Sequence, residues 1–171
     1  MARTQWITLF WSVTTLSWSA ISLLGGLPAL AQSESDDEPK EKRSYFGIGG
    51  NIGLSGSESA LGDGGFAIVS RTRIVDYVSL RNSTVFGDET ASLFAITGEV
   101  PLTNSAGEIT AIPFIGGGVW LHDEVDPLIS AGVDVPLSQD FTATTRVNVG
   151  FDSDDTDIGL VIGVGYNFSL F

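Results

Sequence analysis

The sequence predicts an all-β fold: an eight-stranded antiparallel up-and-down transmembrane β-barrel, preceded by a signal peptide and a short disordered acidic leader. Three observations carry this expectation. The chain closes on an alternating run, with Leu160, Ile162, Val164, Tyr166, Phe168 and Leu170 set against Gly159, Gly163, Gly165 and Asn167. Seven further segments repeat that period of two, the period of a strand with one apolar face. The only basic residues after position 43 are Arg71, Arg73, Arg81 and Arg146, and all four fall on the face opposite the apolar one.

The N-terminus reads as an address rather than as structure. Arg3 and the free amine supply positive charge, residues 6–24 carry none, and Ala29-Leu30-Ala31 precedes Gln32 after Pro28. That is the pattern of a secretory signal peptide, residues 1–31, cleaved after Ala31. A retained membrane helix competes with it, because the run is long enough to span. Residues 32–43 (QSESDDEPKEKR) contain no aliphatic or aromatic side chain, so they cannot bury enough apolar surface to fold and form a disordered polar linker. Residues 44–171 are one domain's worth of chain.

Composition excludes several classes. With 8 basic against 21 acidic residues, the net charge of −13 opposes nucleic-acid binding, which needs basic stripes. There is no cysteine, so a secreted fold here is held by backbone pairing rather than disulfides. No interior stretch has the length and apolarity of a membrane helix, which leaves strands as the means of spanning.

The segments follow in order. Residues 45–54 put Phe46, Ile48, Ile52 and Leu54 on one face. Residues 66–74 put Phe66, Ile68 and Ile74 outward and Arg71 and Arg73 inward. Residues 77–86 turn Val78 and Leu80 out and Ser79, Arg81 and Ser83 in, and residues 93–102 turn Phe94, Ile96, Val100 and Leu102 out and Thr97 and Glu99 in. Residues 109–121 are ambiguous, because both faces carry apolar side chains. Residues 128–137 direct Ser130 and Asp134 inward, and residues 141–151 direct Thr142, Thr144, Arg146 and Asn148 inward. Segments of about ten residues match a tilted bilayer crossing. The even count and short connections imply an antiparallel meander, and lipid cannot satisfy an open edge, so the last strand is expected to pair with the first. With both ends on the periplasmic side, residues 55–65, 87–92, 122–127 and 152–157 are the outward loops. Aromatics sort into two belts, Phe46, Tyr77, Phe141, Tyr166 and Phe168 at one rim and Phe66, Phe86, Trp120 and Phe151 at the other.

Charge placement is the internal check. On a lipid face a mid-strand arginine costs about 2–4 kcal/mol, so the lumen is where Arg71, Arg73, Arg81 and Arg146 belong, with Glu99 and Asp134 on the same face. The interior of an eight-stranded barrel is just wide enough for side chains to fill. The expectation is a plugged lumen in which Glu99 and Asp134 bridge the arginines, with Asn51, Asn148, Asn167, hydroxyls and water meeting the rest. A narrow anion path is the functional alternative.

Acids crowd the loop rim, and the run Asp152, Asp154, Asp155 and Asp157 is a candidate divalent-cation rim, since calcium and magnesium take oxygen ligands. It lacks the glycine and terminal glutamate of a helix-loop-helix calcium loop, so no dedicated metal site is assigned. Gly47-Ile48-Gly49-Gly50 and Gly116-Gly117-Gly118 precede no helix and no phosphate-meeting lysine, so strand curvature explains them better than a nucleotide site. His122 is the single histidine; Ser83 or Ser92 approaching it in space would suggest hydrolysis, but no catalytic residue and no cofactor is assigned.

The stretches Ile112-Pro113-Phe114-Ile115-Gly116-Gly117-Gly118-Val119, Ile129-Ser130-Ala131-Gly132-Val133-Asp134 and Gly163-Val164-Gly165-Tyr166-Asn167-Phe168 resemble the small bacterial outer-membrane β-barrel domain family, the OmpA/OmpX-type and porin-like eight-stranded proteins. The resemblance covers the whole domain. It implies residence in the cell outer membrane of a Gram-negative-type envelope, outer-membrane lipid as the surround, and insertion by barrel-assembly machinery that reads a C-terminal signal of Tyr166, Phe168 and Phe171. Members end on the last in-phase aromatic, whereas here Ser169-Leu170-Phe171 continues past Phe168. The functional expectation is a monomeric, non-enzymatic barrel with a structural or surface-interaction role and no nucleic-acid partner. A porin-like channel for small solutes, a lipid-modifying enzyme and a soluble lipocalin-type barrel are the alternatives; the last would place the aliphatic face inside.

Overall fold

A computed structural model describes residues 44–56, 60–122, 124–152 and 156–169. The signal peptide and polar linker expected over residues 1–43 lie outside the described residues. The strands are β1 (Ser44–Ser55), β2 (Gly64–Val75), β3 (Val78–Phe86), β4 (Ala91–Glu99), a two-residue β5 (Leu102–Thr103), β6 (Ile109–Leu121), β7 (Val125–Pro136), β8 (Phe141–Phe151) and β9 (Thr156–Phe168). One short helix, α1 (Ala60–Asp63), precedes β2.

Every long strand pairs antiparallel with two neighbours. Sequential pairing accounts for all but two ladders: β4 pairs β6 past the small β5, from Ser92↔Leu121 to Glu99↔Phe114, and β1 pairs β9, from Ser44↔Phe168 to Ser55↔Ile158. The result is a closed eight-stranded up-and-down barrel with no free edge along these strands.

Several boundaries differ from the sequence expectation by one or more residues, and the larger differences have local reasons. The fourth strand was expected to run to residue 102, but β4 stops at Glu99, because Pro101 has no N–H to continue the ladder; Leu102 and Thr103 pair separately against Ala111 and Ile109. The third was expected to begin at Tyr77, which instead sits in the β2–β3 turn with φ of 63°, the left-handed conformation that closes a turn with a bulge, and the register shifts between Arg73 and Val75. β7 begins at Val125, where the β6 ladder holds it through Leu121↔Val125. The first loop, expected over residues 55–65, contains α1.

Alternation then sorts the two faces. Ile48, Ile96, Ile115, Ile129, Ile162 and Val164 are exposed on the outside. The facing of residues 109–121, ambiguous in sequence, is settled: Ile112, Phe114 and Trp120 are buried inside, while Ile115 and Val119 face out. Trp120 is therefore a correction to the outer aromatic belt, for it packs in the lumen with 1% exposure.

The interior is not polar throughout. Tyr45, Leu61, Ala67, Val69, Val85, Ala91, Leu93, Ala95, Trp120, Leu128 and Val161 form one buried apolar cluster. Most of it lies toward the loop rim, and the charged residues lie toward the end that carries Ser44 and Phe168. A narrow bore makes this possible: aliphatic side chains from opposite walls meet and leave water out. Leu61 of α1 enters from the first loop and is fully buried, with Asn51 Nδ2 donating to its carbonyl at 2.8 Å.

Small residues opposite large ones make the bore fit. A Cβ at Gly165 would stand 2.5 Å from Tyr45 Cδ2, and one at Gly150 only 2.2 Å from Trp120 Cε3. Gly150→Ala is expected to lower the unfolding free energy by about 1–3 kcal/mol through overpacking, read as a lower urea midpoint together with a changed near-ultraviolet dichroism of Trp120.

Candidate functional site

The most concentrated chemistry is a charged cluster across the barrel interior. The strand period delivers it, since Arg71, Arg81, Glu99, Asp134 and Arg146 all occupy inward positions and are at most 4% exposed. Register brings the first pair together: Tyr45 faces Arg71 and Arg71 faces Arg81 across the β1–β2 and β2–β3 ladders.

Glu99 is held from two sides. Arg71 Nη2 donates to its Oε1, and Arg81 Nη2 donates to its Oε2 at 3.1 Å. Ser79 Oγ also donates to Oε2 at 3.0 Å. Asp134 accepts from Arg81 Nη1 at 2.8 Å and from the Tyr45 hydroxyl at 3.1 Å, and Arg71 Nη1 lies 3.8 Å away. Arg81 is thereby a bridge between both carboxylates; its Nε donates to Thr97 Oγ1 at 3.0 Å and its guanidinium lies 3.4 Å from the centre of the Phe114 ring. Arg146 reaches the cluster through Tyr45, donating to its hydroxyl at 3.2 Å, and donates to the Asn82 carbonyl at 3.3 Å.

Three guanidinium groups thus meet two carboxylates, and the balance is carried by a phenol, two hydroxyls and a backbone carbonyl. The asparagines expected to share this work are elsewhere. Asn51 bonds Leu61, Asn167 accepts from Thr142 Oγ1 at 2.8 Å, and Asn148 Nδ2 has no hydrogen-bond partner among the described residues. Arg73 stands apart from the cluster, at the β2–β3 end, where it donates to Asp76 at 2.7 Å. Sequence reasoning overlooked Tyr45, although the outward Phe46 and Ile48 put it inward by parity.

Seven of the eight barrel strands, all but β9, contribute a side chain to this cluster. Such a cross-braced layer fixes the walls relative to one another. It has no exposed acid, base or nucleophile to offer a substrate.

The loop rim is different. Asp152 is half-buried there, whereas Asp157 is buried on the inner face of β9 at 3% exposure, so these two aspartates do not share one exposed rim; Asp154 and Asp155 lie outside the described residues. His122 Nε2 is 2.9 Å from Asp126 Oδ2, and its ring centre is 4.2 Å from that of Trp120. Of the two serines considered as its nucleophile, Ser83 is 1% exposed and Ser92 Oγ lies 3.3 Å from Thr84 Oγ1. At the other end, Tyr166 is exposed outside β9 and packs edge-on against Phe141, Phe168 closes the strand, and Phe171 lies outside the described residues.

No family model matches the sequence, and no curated protein matches it either. Among the solved structures similar to the chain are these three. Ail, the attachment invasion locus protein of Yersinia pestis, is 14% identical over 75% of this chain and 99% of its own, with a TM-score of 0.49. The N-terminal β-barrel domain of Pseudomonas aeruginosa OprF is 13% identical over 74% and 96%, with a TM-score of 0.49. A de novo designed transmembrane β-barrel is 16% identical over 78% and 100%, with a TM-score of 0.48.

Proposed function

We propose that this chain is a small integral outer-membrane β-barrel protein with a side-chain-filled lumen and a structural or surface-interaction role, without catalysis. The observation that carries the reading is inverted polarity. Ile115 is 65% exposed and Ile48 60%, whereas Arg81 is 1% and Asp134 0% exposed. In water that arrangement wastes the apolar surface and hides the charge; in lipid both choices are favourable. Closure of β1 on β9 and β4 on β6 supports it, since an open edge has no partner in hydrocarbon. The cross-braced cluster and the buried Leu61 support a closed lumen over a solute channel.

The test is fractionation with gel mobility of unboiled samples. The protein is expected to pellet with the outer membrane and to migrate faster unheated than boiled. Recovery from the soluble periplasmic fraction would overturn the reading, and stepwise single-channel currents in a planar bilayer would replace the filled lumen with a pore.

A further inference from the structure

We propose that His122, Asp126 and Asp152 bind one divalent transition-metal ion of the zinc class at the loop rim. The three side chains come from two hairpins, β6–β7 and β8–β9. Their ligating atoms all lie within 4.8 Å of one another, and each residue is half-buried.

Strand geometry accounts for the convergence. Trp120, Leu128 and Gly150 face the lumen, so residues 122, 126 and 152 continue the same inward rows by parity. Trp120↔Asp126 is a ladder pair, and Asp152 lies two residues beyond Gly150, which pairs with Leu128 two residues beyond Asp126. The neighbouring ends of β6, β7 and β8 therefore each bring one donor to the same rim. A tetrahedral ion with bonds of about 2.0–2.1 Å sets its ligand atoms about 3.3–3.4 Å apart, so the 2.9 Å His122–Asp126 hydrogen bond need open by only a few tenths of an ångström to admit it. Contact with the tilted Trp120 ring restrains the imidazole.

Donor chemistry selects the ion. One imidazole nitrogen with two carboxylates suits zinc and its first-row neighbours, whereas calcium and magnesium prefer oxygen alone. Charge points the same way. The described Lys and Arg residues are Arg71, Arg73, Arg81 and Arg146, and none of them lies at the β6–β7 or β8–β9 hairpin tip. A divalent cation balances both carboxylates and ties the two hairpins together.

The experiment titrates zinc chloride into the full chain folded in detergent micelles, by calorimetry, with cobalt(II) quenching of tryptophan fluorescence as the second signal and Trp120→Phe to assign it. Saturation at one ion per chain is expected, with calcium weaker by about 100-fold or more. His122→Gln and Asp152→Asn are each expected to weaken zinc by at least about 10–100-fold, the cost of losing even an outer-shell partner, while Glu124→Gln, an exposed acid beside the site, leaves it unchanged. Unaltered mobility of unboiled samples verifies that the variants fold. Equal zinc and calcium affinity, or insensitivity to His122→Gln, would mean a hydrogen-bonded pair in an acidic rim and would overturn the site.

Discussion

Asp134→Ala is expected to destabilise the barrel by about 3–5 kcal/mol, because it strips a fully buried pair of its anion and leaves the Arg81 guanidinium underpaired. The loss goes beyond one bond. Asp134 is also the acceptor for Tyr45, and Tyr45 in turn accepts from both Arg81 and Arg146. Urea unfolding in micelles, followed by gel mobility, measures it. The double variant Asp134→Ala with Arg81→Met is expected to recover part of the loss, since removing both charges ends the desolvation penalty. A single-variant cost below about 1 kcal/mol would mean that the cluster does not hold the walls together.

Ile115→Arg is expected to cost about 2–4 kcal/mol in a phospholipid bilayer, because Ile115 lies mid-strand on the outside of β6. Ile109→Arg, on the same face at the start of the same strand, is expected to cost about 0–1 kcal/mol, since the penalty falls toward the interface. Unfolding from lipid vesicles reads the difference. In a barrel surrounded by water both substitutions would be within about 0.5 kcal/mol of neutral, so equal effects would remove lipid as the solvent of this face.

Much of the architecture is legible in the sequence because period two is strict where one face meets the outside. Arg71, Arg81, Glu99, Asp134 and Arg146 follow from parity alone. Parity loses its grip where both faces are apolar: Ile112, Phe114 and Trp120 needed the ladders on either side of β6 to be oriented. The stop at Pro101 is masked in the sequence because Leu102 continues the apolar pattern past it. α1 left no periodic trace, being only four residues long and held by tertiary contact through Leu61. The His122, Asp126 and Asp152 group is invisible in one dimension, since Asp152 reaches the others only through the β7–β8 register.

The inward turn of the first loop decides where foreign sequence can be grafted. Leu61 acts as a stopper of the chain's own making, anchored on Asn51 and lying where a Gly159 Cβ would stand 2.5 Å from its Cδ1. An epitope spliced beside α1 would uncork the cylinder, whereas the exposed hairpin tip at residues 87–90 carries no such duty and is the natural post for surface display.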